Sequence, residues 1–209
     1  MLAQAIKKQQ REEQIMLSLD NLTYATREQL QIINNLGGER NAQRILQRME
    51  KDKLIKAARY EKKIYYLSNR GKQQIGSTQG ELKKSWIQHT LMRNDLYISL
   101  GMPDSWKKEY PVKWGSNKLV PDATFKRDGN FVFVEIDNQQ TMQINKEKIK
   151  LYKELFKAIF NQYDHHPILI WYTLSDNRKG KIKEACTKAG IKFKIINRDT
   201  VYDTVLIKK

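Results

Sequence analysis

Residues 119–152 read LVPDATFKRDGNFVFVEIDNQQTMQINKEKIKLY, and their reading decides the fold of the chain's second half. Runs rich in β-branched and aromatic residues flank Asp128-Gly129, a pair that favours a two-residue hairpin turn. With the turn centred there, residues whose numbers sum to 257 face each other, so Asp122 stands opposite Glu135. Directly opposed side chains share one sheet face, with β-carbons roughly 5 Å apart. Asp137, two residues on, points to that face as well, while Val132, Val134 and Ile136 supply core on the other. The spacing thus predicts three converging carboxylates. Like charges so close call for a proton or a cation between them, and hard oxygen ligands suit Mg²⁺ or Mn²⁺. Beside nucleic acid such an ion polarises a phosphodiester and activates water. The alternative is a solvated sheet face whose carboxylates offset nearby lysines.

Outward from the hairpin, Ile144 to Phe160 has helical spacing, with Tyr152, Leu155 and Ile159 inward. Lys146, Lys150, Lys153 and Lys157 form a basic stripe, read either as a solvated face or as a track for phosphate. Lys148 lies one turn before Tyr152, toward the packed side, which makes it a candidate to lean into the carboxylate cluster. PILIWYTL reads as a buried strand, Asp176–Ala189 as a helix and IKFKIIN as a further strand. Before the hairpin, WKKEYPVKW reads as a short strand carrying Glu109. Earlier still, Thr78-Gln79-Gly80-Glu81 has the form of a capping box for a helix to about Leu100, with Trp86, Leu91 and Leu96 as core. His89 and Asp95 on it read as satisfied structural polar groups. The element order predicts a mixed α/β layer structure.

Residues 1–75 read helix, helix, helix, hairpin. Thr26 and Gln29 form a capping box, and Gly37-Gly38 separates the second helix from a third over Glu39–Lys51. Ala42, Ile45, Leu46 and Met49 make the inward stripe of that helix, leaving Arg40, Asn41, Gln43, Arg44, Gln47, Arg48 and Lys51 on its other faces. LIKAARYEKKIYYLS fits two short strands around a basic tip. Three helices and a basic-tipped hairpin resemble a winged helix-turn-helix, and IYYLSNRG resembles the second wing strand and following turn of such domains. That resemblance implies a third helix in the major groove, with Arg, Asn and Gln at base edges, and Lys62 and Lys63 on phosphate. A protein-binding winged helix is the alternative.

The chain of 209 residues carries a net charge of +16, shared as +7 over residues 1–80 and +9 over residues 81–209. Both parts therefore favour a polyanionic partner, most directly DNA. No apolar run approaches membrane-spanning length, which argues against membrane insertion. MLAQAIKKQQ lacks a signal-peptide core, so a cytoplasmic location is expected. The single cysteine, Cys186, rules out an intrachain disulfide and a zinc-cysteine cluster. Glycines and small polar residues between Gly71 and Gly80 mark the expected boundary between domains 1–75 and 76–209.

The order of elements, with Pro121-Asp122 and then Glu135-Ile136-Asp137, resembles the restriction-endonuclease-like fold of the PD-(D/E)xK superfamily. With an N-terminal winged helix, it is similar to the plasmid replication-relaxation family and to conjugative relaxases of restriction-endonuclease-like fold. His89, Asn94-Asp95, Glu109 and the Lys148 to Tyr152 helix also take part in the match. The resemblance implies an α+β chain, a winged-helix DNA-binding domain followed by a restriction-endonuclease-like mixed-sheet domain. It implies Asp122 and Glu135 as Mg²⁺ or Mn²⁺ ligands with Glu109 assisting. The third motif position, usually lysine, is Asp137; a carboxylate there adds a ligand, and Lys148 is the candidate for the missing positive charge. The implied activity is DNA relaxation or nicking on a plasmid or mobile element. Expected partners are a double-stranded site, a single strand at a nick, a second copy of the chain, and replication or transfer proteins. The competing expectation is a non-catalytic accessory DNA-binding protein with an inactive nuclease fold.

Overall fold

The computed structural model describes residues 2–80, 83–138, 140–197 and 201. The chain is a mixed α+β protein that divides by contact into two compact units, residues 1–98 and 99–209.

In the first unit α1 (Leu2–Leu22) leads to β1 (Ala25–Thr26), α2 (Arg27–Ile33), α3 (Glu39–Lys51), β2 (Ile55–Arg59), β3 (Lys63–Leu67) and α4 (Asn69–Ile75). The capping box at the start of α2 is present in both directions. Gln29 N donates to Thr26 Oγ1 at 3.2 Å, and Thr26 N donates to Gln29 Oε1 at 3.1 Å. Ala42, Ile45, Leu46 and Met49 of α3 are buried in one cluster with Ile15 and Leu19 of α1 and Ile55, Tyr65 and Leu67 of the sheet. The antiparallel sheet runs β1-β3-β2, with Ala57 opposite Tyr65. The segment after β3, expected as a turn, begins α4: Ser68 caps it by accepting from Gly71 N at 2.9 Å. Gly71 is required there, because a Cβ would sit 2.1 Å from the Leu54 carbonyl oxygen.

The helix expected from Thr78 starts later. A single 3-10 turn covers Lys84–Trp86, and α5 runs Ile87–Ser99; Glu81 of the expected capping box lies outside the described residues. Without an uninterrupted helix to turn it inward, Trp86 is 49% exposed, whereas Leu96 is fully buried.

The second unit comprises β4 (Lys107–Lys108), β5 (Val112–Trp114), β6 (Asn117–Leu119), β7 (Ala123–Arg127), β8 (Asn130–Asp137), α6 (Met142–Tyr163), β9 (Ile168–Thr173), α7 (Asp176–Ala189) and β10 (Phe193–Asn197). Its main sheet runs β10-β9-β8-β7-β4. The first two pairings are parallel, and the β8-β7 and β7-β4 pairings are antiparallel. Two successive crossovers, β8-α6-β9 and β9-α7-β10, cover one face of this sheet, where Phe133, Leu169 and Trp171 pack with Tyr152, Leu155, Ile182 and Cys186. The expected single strand through Glu109 is instead two pieces. Glu109 itself has φ of 50° and breaks the chain between β4 and β5, which pairs with β6 in a separate hairpin.

Candidate active site

The hairpin β7-β8 turns where the sequence places it. Asp128 and Gly129 both have positive φ, 50° and 79°, as a type I′ turn requires. Ala123 pairs with Val134, and one step beyond the ladder Asp122 N donates to Val134 O at 3.1 Å. Asp122 Oδ2 then accepts from the Ile136 amide at 2.7 Å, so its half-buried carboxylate closes the open end of the hairpin next to Glu135.

Glu135 is fully buried beneath α6. Its Oε2 is 2.5 Å from Lys148 Nζ, and its Oε1 accepts from Tyr152 OH at 2.7 Å. Lys148 and Tyr152 are one helical turn apart, which brings both side chains to the same carboxylate. Burial first, and then the charge of Asp122, push Glu135 up to about 8, against the opposing pull of Lys148 and Tyr152. Burial works to lower Lys148, but the carboxylates of Glu135 and Asp122 outweigh it and raise the ammonium above its ordinary value. The Tyr152 hydroxyl is raised well above its ordinary value by burial and by Glu135, so it remains a donor. An ammonium, the half-buried Asp122 carboxyl and a buried Glu135 carboxyl held above its ordinary value therefore stand together.

Asp137 is in a different environment. Arg178 at the start of α7 grips it through Nε at 2.6 Å and Nη2 at 2.5 Å. Asn145 Nδ2 donates at 2.7 Å and Thr173 Oγ1 at 3.1 Å. Burial favours the neutral acid, but these donors, Arg178 foremost, hold the carboxyl below its ordinary value. The expected gathering of three carboxylates is thus reduced to Asp122 and Glu135, because a cation of the chain already satisfies both oxygens of Asp137. Among the described residues no three His, Cys, Asp or Glu side chains form a metal-holding group. Glu109 approaches through its backbone, its amide donating to Asp122 O at 3.2 Å, while its side chain is exposed. The residues that sequence reasoning missed are Arg178, Asn145 and Thr173. Their shared partner, Asp137, lies 8, 36 and 41 positions from Asn145, Thr173 and Arg178, and no local spacing marks those pairings.

In the first unit Arg40, Gln43, Arg44, Gln47, Arg48 and Lys51 are exposed on α3. Asn41 is turned inward: its Nδ2 donates to Leu36 O at 2.7 Å and its Oδ1 accepts from Arg44 at 2.9 Å. Lys62 is exposed at the hairpin tip, whereas Lys63 pairs with Glu50 of α3 at 2.8 Å. His89 stacks edge-on to Trp86, centroids 6.2 Å apart. Asp95 accepts from Gln29 at 2.7 Å, and Asn94 donates to Tyr24 O at 2.6 Å, so both tie α5 into the first unit. The lysine stripe of α6 faces Lys181 and Lys188 of α7 across a groove floored by Met142, Ile149 and Ala185. No helix among the described residues is long and apolar enough to cross a membrane.

The model of the replication-relaxation family matches residues 16–167. Two solved structures align with the chain. Protein VC1899 from Vibrio cholerae does so at 12% identity over 82% of this chain and 42% of its own, with a TM-score of 0.37. Can2 from Sulfobacillus thermosulfidooxidans, solved with cyclic tetra-adenylate, does so at 15% identity over 95% of this chain and 53% of its own, with a TM-score of 0.33. The chain thus spans about half the length of these structures. None of the curated proteins matches it.

Proposed function

The chain belongs to the replication-relaxation family, and on that premise we propose that it binds a double-stranded site on a plasmid or other mobile element and nicks one strand there. The first unit is read as a winged helix: the exposed arginines and glutamines of α3 enter the major groove, and Lys62 at the hairpin tip meets phosphate. The second is read as a restriction-endonuclease-like domain whose motif lysine has moved from the strand to the helix. One observation carries this reading. Lys148 of α6 reaches Glu135 of β8 at 2.5 Å, beside Asp122, so an acid, an acid and a lysine meet although Asp137 occupies the usual lysine position.

Asp122 and Glu135 would hold a Mg²⁺ or Mn²⁺ ion as two carboxylates once Lys148 yields the Glu135 oxygen it contacts. When bound, such an ion supplies polarisation of the phosphodiester and a more acidic water. The chain's own groups do the rest. Asp122, half-exposed, faces the approaching phosphate and is fixed by the Ile136 amide. Tyr152 holds Glu135 in place through its hydroxyl. Lys148 offers a positive charge where negative charge builds up on phosphate oxygens. Asp137 and Arg178 lock the end of β8 against the start of α7, keeping the site rigid without joining the chemistry.

A second reading, an accessory DNA-binding protein with an inactive nuclease fold, draws on a specific feature: both Glu135 oxygens are satisfied within the chain, and the residue is fully buried. Incubation of supercoiled plasmid carrying the native locus with Mg²⁺ or Mn²⁺ separates the two. Metal-dependent nicking lost in Asp122→Ala and Lys148→Ala supports the first. Retained sequence-specific binding with no nicking by wild type supports the second.

A further inference from the structure

The two faces of the sheet in the first unit have different chemistry. Ile55, Ala57, Tyr65 and Leu67 face the helices α1 and α3, while Ala58, Ile64 and Tyr66 face away and pack with Tyr24 and Ile87. On that second face lies a groove of about 680 Å³ whose lining includes Lys56, Arg59, Lys84, Tyr60 and Tyr66. Among the described residues that line it there is no carboxylate. Lys56, Arg59 and Lys84 are exposed, and Tyr60 keeps 39% of its surface in solvent. Tyr66, half-buried, is propped edge-on by Tyr24 with centroids 6.0 Å apart, so its ring orientation is set by the fold. Lys72, also at the groove, donates to the carbonyls of Gln79 at 2.6 Å and Gly80 at 3.0 Å, which fixes its charge in place.

Cations alone would suit any phosphate backbone. Joined to accessible aromatic rings in one groove, they match the requirements of a single strand, whose unpaired bases stack on rings while lysine and arginine follow the backbone. A duplex keeps its bases stacked internally and leaves nothing for the rings to hold. We propose that this groove binds single-stranded DNA, on the face of the sheet turned away from α3. The inference rests on the DNA-binding part of the proposed function and not on cleavage. A strand freed at a nicked or melted site would be held here while α3 keeps the duplex.

Fluorescence anisotropy of the full chain with a labelled oligothymidine of about 20 nucleotides tests it, with a duplex of the native locus measured in parallel. Tyr60→Ala weakens oligothymidine binding about tenfold and Tyr60→Phe restores it, the size expected from losing one stacked base. Lys56→Ala with Lys84→Ala lowers the salt dependence of oligothymidine binding by about 1.4 in the slope of log K against log salt, at about 0.7 per lost contact. Duplex affinity of these variants stays within about twofold of wild type. All substituted positions are exposed, so folding is retained and is checked by circular dichroism. Unchanged oligothymidine binding in both sets of variants overturns the proposal, as does an equal loss for oligothymidine and duplex. Failure of wild type to bind the duplex, with oligothymidine bound as expected, would instead count against the reading of α3.

Discussion

Lys148 lies thirteen positions after Glu135 in sequence, yet its ammonium rests 2.5 Å from the buried Glu135 carboxyl. A strand and the helix that follows it deliver the two from opposite sides of a crossover. In the proposed nuclease reading, a lysine at position 137 would have reached the site along the same strand. Here the strand position holds Asp137, which Arg178 neutralises, and the positive charge comes down from the helix instead.

Removing that charge tests its role. Lys148→Ala lowers metal-dependent nicking of supercoiled plasmid by roughly 10²–10³-fold, the range found for removing one preorganised stabiliser of transition-state charge. Duplex binding at the native locus persists in the same variant. A variant that nicks at wild-type rate removes Lys148 from the site.

Glu135 makes stability depend on pH in an unusual direction for a carboxyl. Its folded value, about 8, stands above the 4.5 of an unperturbed glutamate, so the folded state binds more protons than the unfolded state between those limits. Stability from this group is fully present below about 4.5 and declines as pH rises toward 8. Glu135→Gln removes that decline while keeping a neutral partner for Tyr152. Urea denaturation of both proteins at pH 5, 7 and 8.5 reads the difference directly.

The same proton opposes a cation. Glu135 must lose it to become a ligand, so Mn²⁺ affinity, measured by calorimetry, rises with pH up to about 8 and binding releases protons to buffer. Asp122→Ala abolishes the binding. Mn²⁺ affinity that is flat across this range would show that Glu135 is not a ligand.

Arg178→Ala leaves Asp137 buried and ionised with only Asn145 and Thr173 as side-chain donors. Breaking one side of a buried pair costs about 3–5 kcal/mol, so the variant loses that much in urea denaturation at neutral pH. Because the pair holds Asp137 below its ordinary value, its contribution is present above about pH 4 and is lost as pH falls through the lowered value. Wild type and variant therefore converge in acid.

On α3, Arg44→Ala and Arg48→Ala each reduce duplex affinity and lower the salt slope by about 0.9 if the guanidinium meets phosphate. Asn41→Ala behaves differently. It removes the bond to Leu36 O and destabilises the unit by about 1 kcal/mol, with no change in the preferred DNA sequence.

Much of the fold is legible in the chain because its signals are local. Asp128-Gly129 sets the hairpin, and the alternation around it places Asp122 against Glu135. Thr26 with Gln29 opens α2, and the spacing of Ala42, Ile45, Leu46 and Met49 fixes which side of α3 is inward. Local signals also fail where the chain ignores them. Thr78 has the spacing of a cap, yet residues 78–80 are not helical and α5 begins only at Ile87. Glu109 sits amid strand-forming residues but adopts a positive φ.

The candidate site divides the same way. Sequence by itself determined the hairpin register, the inward position of Lys148 on its helix and the basic character of both halves. Tertiary structure alone decided which cation meets which carboxylate. Glu135 and Asp137 point to the same face of one strand, and periodicity cannot tell them apart. The crossover helix α6 lowers Lys148 onto the first, and the next helix, α7, brings Arg178 across 41 positions of chain onto the second. An ion pair between distant residues depends on where two elements dock, and no local spacing records that.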